Sequence, residues 1–152
     1  MNLREATPSD RPAILALART SLAEFGLEFG VGAATDSQLE AVPGSYADHG
    51  GMFWVMTEGE QLLGMAGMFP VGDRILELRK MYFAKAARGR GLGRLMLARC
   101  LDFARERDAQ SVVLDTMDAM QGAIALYEKA GFVRDDTQIT APRCERGYRL
   151  DL

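Results

Sequence analysis

The sequence has no Lys or Arg between Arg19 and Arg74, a single histidine, two cysteines and no long apolar run. Each shortage excludes something. No uninterrupted apolar stretch reaches the ~18 residues of a membrane span, and the N-terminal MNLREATPSD lacks the apolar core of a secretory signal. No membrane partner is therefore expected, and the chain reads as cytoplasmic. Cys100 and Cys144 lack metal-type spacing and are expected as free thiols. His49 has no further ligands at a useful spacing, so no metal site is expected. The net charge of -3 is not the basic excess of proteins that bind nucleic acid by bulk electrostatics. No nucleic-acid partner is expected, and any anion site has to be local.

What the sequence does contain is enough apolar residue for one core. A chain of 152 residues that is 48% hydrophobic can bury roughly 70% of its unfolded surface, and it is short for two domains. Residues 1–152 are read as a single domain. Charge is divided along it. The gap after Arg19 holds Glu24, Glu28, Asp36, Glu40, Asp48, Glu58, Glu60 and Asp73, while all but three of the 18 Lys and Arg lie from Arg74 onward. Either the two halves face ligands of opposite sign, or the acidic half is a solvated surface that aids solubility.

Periodicity places the elements. MNLREA reads as a first strand, and Ile14, Leu15, Leu17, Ala18 and Leu22 have the spacing of a first helix. Residues 26–50, rich in Gly and turn formers, read as a long adaptable loop with at most a short helix near Ser37–Ala41. MFWVMT and LLGMAGMFP form a hairpin around Glu58-Gly59, and RILELRKMYF adds a third antiparallel strand. A helix follows at LGRLMLARCLDFARER, with adjacent apolar rows through Leu92, Met96, Cys100 and Phe103 and through Gly93, Leu97, Leu101 and Ala104. SVVLDT, joined by that helix to the preceding strand, should lie parallel to it. A last helix in DAMQGAIALYEKAGF ends at Gly131, and short strands at FVR and ERGYRLDL close the chain. The fold class is α+β: a mixed, mainly antiparallel sheet of about seven strands flanked by about four helices, with one β-α-β crossover. GYRLDL is read as an exposed sheet edge through which a homodimer could pair.

AKAARGRGLGR, residues 84–94, sits between a strand and a helix. A glycine-rich turn at a helix N-terminus presents unpaired backbone N–H groups and the positive end of the helix dipole, which together stabilise a phosphate. Gly91 and Gly93 allow close backbone approach, and Arg88, Arg90 and Arg94 add charge, so a pyrophosphate is the natural guest. No Lys followed by Ser or Thr is present, which excludes the nucleotide P-loop. The dinucleotide fingerprint would need Gly at position 94, where Arg94 stands, although Asp115 lies at a suitable distance. A nucleotide-binding oxidoreductase stays as a distant alternative.

Arg88-Gly89-Arg90-Gly91-Leu92-Gly93 matches [Q/R]-x-x-G-x-[G/A] in full, and with this loop the chain resembles the GNAT superfamily of acyl-CoA-dependent N-acetyltransferases. LELRKMYF is similar to the family's central strand, SVVLDT to the next strand, and AIALYEKAGF to the following helix. PGSYADHGGMFWV is similar to a segment of some bacterial members. The resemblance implies a GNAT fold and acetyl-CoA as co-substrate, inserted between the strands Ile75–Phe83 and Ser111–Thr116. It places the diphosphate on Arg88, Gly89, Arg90, Gly91, Leu92, Gly93 and Arg94, and the pantetheine arm along Met81, Tyr82 and Phe83. Met120 stands where many members have an asparagine that holds the arm, and Lys85 replaces a common proline.

The implied activity is transfer of acetyl to a primary amine of a small molecule or peptide by direct attack in a ternary complex. A catalytically silent acyl-CoA-binding regulatory module is the alternative. The reaction needs an acceptor for the amine proton and a donor for the departing thiolate. The resemblance points to Glu77 as base, with Asp115 and Asp118 as substitutes, and to Tyr127 as acid. Against these stand a Glu77 merely paired with a neighbouring cation and a Tyr127 merely packed in a stripe with Met120, Ala123 and Ala130. The acidic stretch Glu24–Asp48 lies where the family shapes its acceptor pocket, so its charge is expected to attract a cationic amine.

Overall fold

The computed structural model describes all 152 residues. Strands β1 (Asn2–Glu5), β2 (Met52–Glu58), β3 (Gln61–Gly72), β4 (Ile75–Phe83), β5 (Ser111–Thr116), β6 (Val133–Arg134) and β7 (Arg146–Asp151) form one seven-stranded sheet. Their spatial order is β1-β2-β3-β4-β5-β7-β6. Every neighbouring pair is antiparallel except β4 and β5, which are parallel and joined by the crossover helix. The helices are α1 (Arg11–Ala23), α2 (Gly44–Ala47), α3 (Leu92–Glu106) and α4 (Gln121–Lys129). None is long and apolar enough to cross a membrane.

The side-chain alternation of β2 explains why this sheet is covered on both faces. Trp54 and Met56 pack into one cluster with α3 and α4, whereas Phe53 and Val55 pack into a second with α1 and the segment before β2. Trp54 stands edge-on to Phe103 of α3, with ring centroids 5.1 Å apart. α3 buries Leu92, Met96, Leu97, Cys100, Leu101, Phe103 and Ala104, the two apolar rows expected of it. α4 ends with Gly131 at φ 100°, a left-handed position that glycine fills without strain.

Two expectations are corrected. The segment 26–50 is not an adaptable loop: a 3-10 helix spans Ala34–Ala41, α2 follows, and Leu39, Val42 and Tyr46 are each fully buried. Its apolar residues are spaced three or four apart, so short helical turns direct them to one side, and the polar residues between them obscured that pattern. Nor is GYRLDL an edge. β7 lies between β5 and β6, and the Asp135 amide donates to the Gly147 carbonyl at 2.8 Å. The outer strands are β1 and β6, so the edge on which pairing through GYRLDL depended is already occupied.

Candidate active site

β4 and β5 pair only at Ile75–Ser111, Leu76–Val112 and Glu77–Val113, and then separate. The cause is local. The β3–β4 register shifts between Met65 and Gly67, and Lys80 absorbs the extra residue with φ 56°. Such a bulge bends and twists its strand, so Met81, Tyr82 and Phe83 swing away from β5. They line a cleft of about 400 Å³ whose other walls include Phe25, Gly89, Gly91, Met120 and Leu126.

At one end of the cleft the glycine-rich loop turns into α3. Gly89 and Gly91 have φ of 76° and 75°, and Gly91 is the residue that opens the helix, with no side chain capping it. The amides of Gly89, Arg90 and Gly91 donate to no backbone acceptor, and those of Leu92, Gly93 and Arg94 belong to the first turn, which has no preceding carbonyls to bond. A row of free N–H groups thus points out at the positive end of a 15-residue helix. The arginines contribute less than their number suggests. Arg88 lines the cleft but is held by Glu24, and Arg90 pairs with Glu58 at 2.9 Å. Of the three, only Arg94 has no ion-pair partner; Arg90 and Arg94 are exposed and outside the cleft lining.

Deeper in, past Met81, Tyr82 and Met120, the cleft meets a small chamber of about 70 Å³. Tyr127 reaches its wall from α4, only 5% exposed, with Phe132 and Tyr148 at 5.7 and 6.4 Å between centroids. Burial pushes its phenol well above the ordinary tyrosine value, so the group stays protonated and can donate. Glu77 lines the chamber from β4, also 5% exposed. Burial raises its carboxyl above the usual carboxylate range, against the opposing charge of Arg79, whose Nε donates to Oε1 at 2.5 Å. Asp115 faces the same space, but its Oδ2 accepts the amides of Thr140 and Ala141 at 2.8 and 2.9 Å. Asp118 is exposed and paired with Arg146 outside the chamber.

Behind the chamber wall lies a buried ion cluster that the sequence did not single out as such. Asp36, 1% exposed, receives a bidentate contact from Arg143 at 2.7 and 2.9 Å, a bond from Lys80, and the Gly30 amide at 2.8 Å. Lys80 and Arg143 form part of the chamber wall, together with Cys144, a free thiol that burial pushes up to about 12. This cluster ties the 3-10 helix, the bulge of β4 and the segment before β7 into one wall. Acidic charge is consumed here and at the glycine-rich loop: Asp36 pairs with Lys80 and Arg143, Glu24 with Arg88 and Glu58 with Arg90. On its far side the chamber opens into a mouth of about 450 Å³ lined by Thr35, Val71, Thr137, Gln138, Glu77 and Arg79, among others.

Comparison with known proteins agrees with this geometry. The family model for the acetyltransferase (GNAT) family matches residues 19–132. The uncharacterized N-acetyltransferase YjgM of Escherichia coli (strain K12) is 34% identical over 138 residues, covering 88% of this chain and 83% of its own. Rat N-acetyltransferase 8F1 is 34% identical over 93 residues, or 58% of this chain, which thereby spans only 42% of that longer protein. Among solved structures, a GNAT-family acetyltransferase from Staphylococcus aureus Mu50 superposes with a TM-score of 0.89 at 20% identity, over 99% of this chain and 98% of the other. The yncA structure from Salmonella typhimurium, which holds acetyl-CoA, gives 0.76 at 21% identity over 99% and 92%. A sheet that splays beside an uncapped, glycine-rich helix start, and a family match over most of the chain, lead to one statement: this protein belongs to the GNAT family of acetyltransferases.

Proposed function

We propose that this protein is an acetyl-CoA-dependent N-acetyltransferase that passes acetyl directly to a primary amine of a small molecule or peptide within one ternary complex. The observation that carries the reading is the adjacency of two cavities: the cleft lined by Gly89, Gly91 and Gly93 shares Met81, Tyr82 and Met120 with the chamber lined by both Glu77 and Tyr127. The unpaired amides fit a diphosphate. The β4 edge beyond Glu77 has no strand beside it, which leaves Met81 and Phe83 to face the pantetheine arm. That direction of insertion brings the thioester to the chamber.

The amine nitrogen attacks the thioester carbonyl, a C–N bond forms, and the C–S bond then breaks. Glu77 receives the amine proton through water, and its raised pKa makes it a better acceptor than an exposed carboxylate. The thiolate leaves with a proton from Tyr127, whose burial keeps that proton in place until negative charge develops on sulfur. Tyr127 then recovers a proton from solvent. A melting-temperature screen with CoA, acetyl-CoA and NAD(P) tests the cofactor, because a ligand raises stability only where it binds the folded protein. CoA and acetyl-CoA should shift the transition and NAD(P) should not. Thiol release from acetyl-CoA over a set of amines tests the transfer, and tight binding of acetyl-CoA without release on any amine would point to a silent acyl-CoA module.

A further inference from the structure

Glu77 and Arg79 stand side by side where the chamber meets the mouth, and they line both spaces. Arg79 is fixed at three points. Its Nε donates to Glu77 at 2.5 Å, its Nη1 donates to Gln38 Oε1 at 3.0 Å, and its guanidinium lies 4.3 Å from the centroid of Phe69. The remaining amino group, Nη2, makes no hydrogen bond within 3.5 Å and neither does Glu77 Oε2, although the buried Tyr46 hydroxyl, itself without a partner at that distance, lies close to the guanidinium. Both side chains are nearly closed to solvent, at 13% and 7% exposure. The pair therefore presents one anionic and one cationic end, each with unused capacity, at the entrance to the reaction space.

Lys80 and Arg143 line the chamber but are both held by Asp36, and Asp115 is engaged by two backbone amides. That leaves the Glu77–Arg79 pair as the polar groups open to an acceptor, one anionic and one cationic. In the mouth, Glu77 and Arg79 are the only charged residues, and Thr35, Val71, Thr137, Gln138 and Pro142 supply neutral walls. A simple cationic amine would find only a carboxylate that Arg79 has already partnered. A zwitterion satisfies both ends.

Building on the acetyltransferase reading above, we propose that the acceptor is a free α-amino acid with a neutral side chain. Its amine meets Glu77, its carboxylate meets Arg79 Nη2, and its side chain extends into the mouth. Arg79 is then a substrate-binding residue that also holds Glu77 in position.

The experiment measures release of the CoA thiol at saturating acetyl-CoA with leucine, methionine, phenylalanine and glutamine. Each is compared with its carboxamide and its decarboxylated amine, and a Leu-Gly dipeptide is included. A carboxamide amine is less basic than that of the parent acid and more of it is neutral, so chemistry alone favours the amide. A preference for the acid must come from binding. We expect kcat/KM to be at least ~10-fold higher for the acids, mainly through KM, as a charge-assisted hydrogen bond would give. Arg79→Gln should shrink the acid-to-amide ratio to within about twofold, and Arg79→Lys should restore part of it. Should Arg79→Gln fail to fold, the acid-to-amide comparison in the unaltered protein decides. Equal or better turnover of amides, amines or the dipeptide would overturn the zwitterion while leaving the acetyltransferase reading intact. No thiol release with any of these acceptors, despite bound acetyl-CoA, would overturn both.

Discussion

Arg88 gives both ends of its guanidinium to Glu24, at 2.8 and 2.9 Å, and a third contact to the Phe83 carbonyl at 3.1 Å. The end of α1 is thereby tied to the loop that opens α3, directly over the rim of the cleft. The pair is partly exposed, so its worth to folding is about 1 kcal/mol or less. Its importance lies in competition, since a diphosphate on the neighbouring amides would draw the same guanidinium.

Glu24→Ala should therefore free Arg88 and tighten CoA binding by roughly threefold to tenfold, the size of a charge-assisted hydrogen bond less the cost of ordering the side chain. Calorimetric titration at low and high salt checks this. The gain should shrink at high salt, and weaker binding by the variant would show instead that Glu24 holds Arg88 ready for the ligand.

Tyr127→Phe should lower kcat by about 100-fold, the lower range for loss of a positioned acid, with little change in the KM for acetyl-CoA. The phenol makes no hydrogen bond within the protein, whereas its ring packs against Phe132 and Tyr148. The melting temperature should consequently move by no more than ~2 °C. Steady-state kinetics with a thermal melt decides the matter, and an unchanged kcat removes Tyr127 from the mechanism.

The pH profile reports on Glu77. Burial disfavours its charged form, so its pKa stands above the ordinary value of roughly 4.3 despite the opposing pull of Arg79. Activity should fall as pH drops through that raised value, because a protonated carboxyl cannot accept the amine proton. Glu77→Gln should remove this acidic limb and reduce kcat by about 100-fold or more. Profiles of kcat/KM for the two proteins make the comparison, and an acidic limb that survives the substitution assigns the base to another group.

Asp36 balances two buried cations. Burial by itself would raise its pKa, but the bonds from Arg143 and Lys80 prevail and hold the carboxyl below its ordinary value. A depressed folded-state pKa contributes stability that is complete above the unfolded value of ~3.9 and is lost as pH falls through the folded one. Asp36→Asn leaves Lys80 and Arg143 uncompensated and should cost about 3 kcal/mol, lowering the melting temperature by on the order of 10 °C at neutral pH. The difference between the two proteins should narrow below pH ~4. Thermal melts across that range provide the measurement.

The clearest parts of the sequence are those where function depends on neighbours along the chain. Gly89 and Gly91, the start of α3 and its buried rows all follow from spacing within about fifteen residues. SVVLDT coincides with β5, and the crossover fixed its direction relative to β4. Residues 26–50 were harder to read because turn formers mask the three- and four-residue spacing of Leu39, Val42 and Tyr46. The position of β7 inside the sheet was also hidden, since β6, the strand that covers its outer edge, is only two residues long.

The sequence by itself determined the glycine-rich turn at the start of α3 and the mainly antiparallel sheet with one crossover, because helix starts and strand alternation are written in local spacing, whereas Glu77 and Tyr127 are singled out by the family resemblance. Only the tertiary structure decided which charges meet. Asp36 and Arg143 lie 107 residues apart, Glu24 and Arg88 lie 64 apart, and the Lys80 bulge is what turns β4 away from β5. Coulombic pairing depends on distance in space, and the folded topology brings Glu24, Asp36 and Glu58 of the acidic segment against cations of the other half, which no spacing along the chain announces.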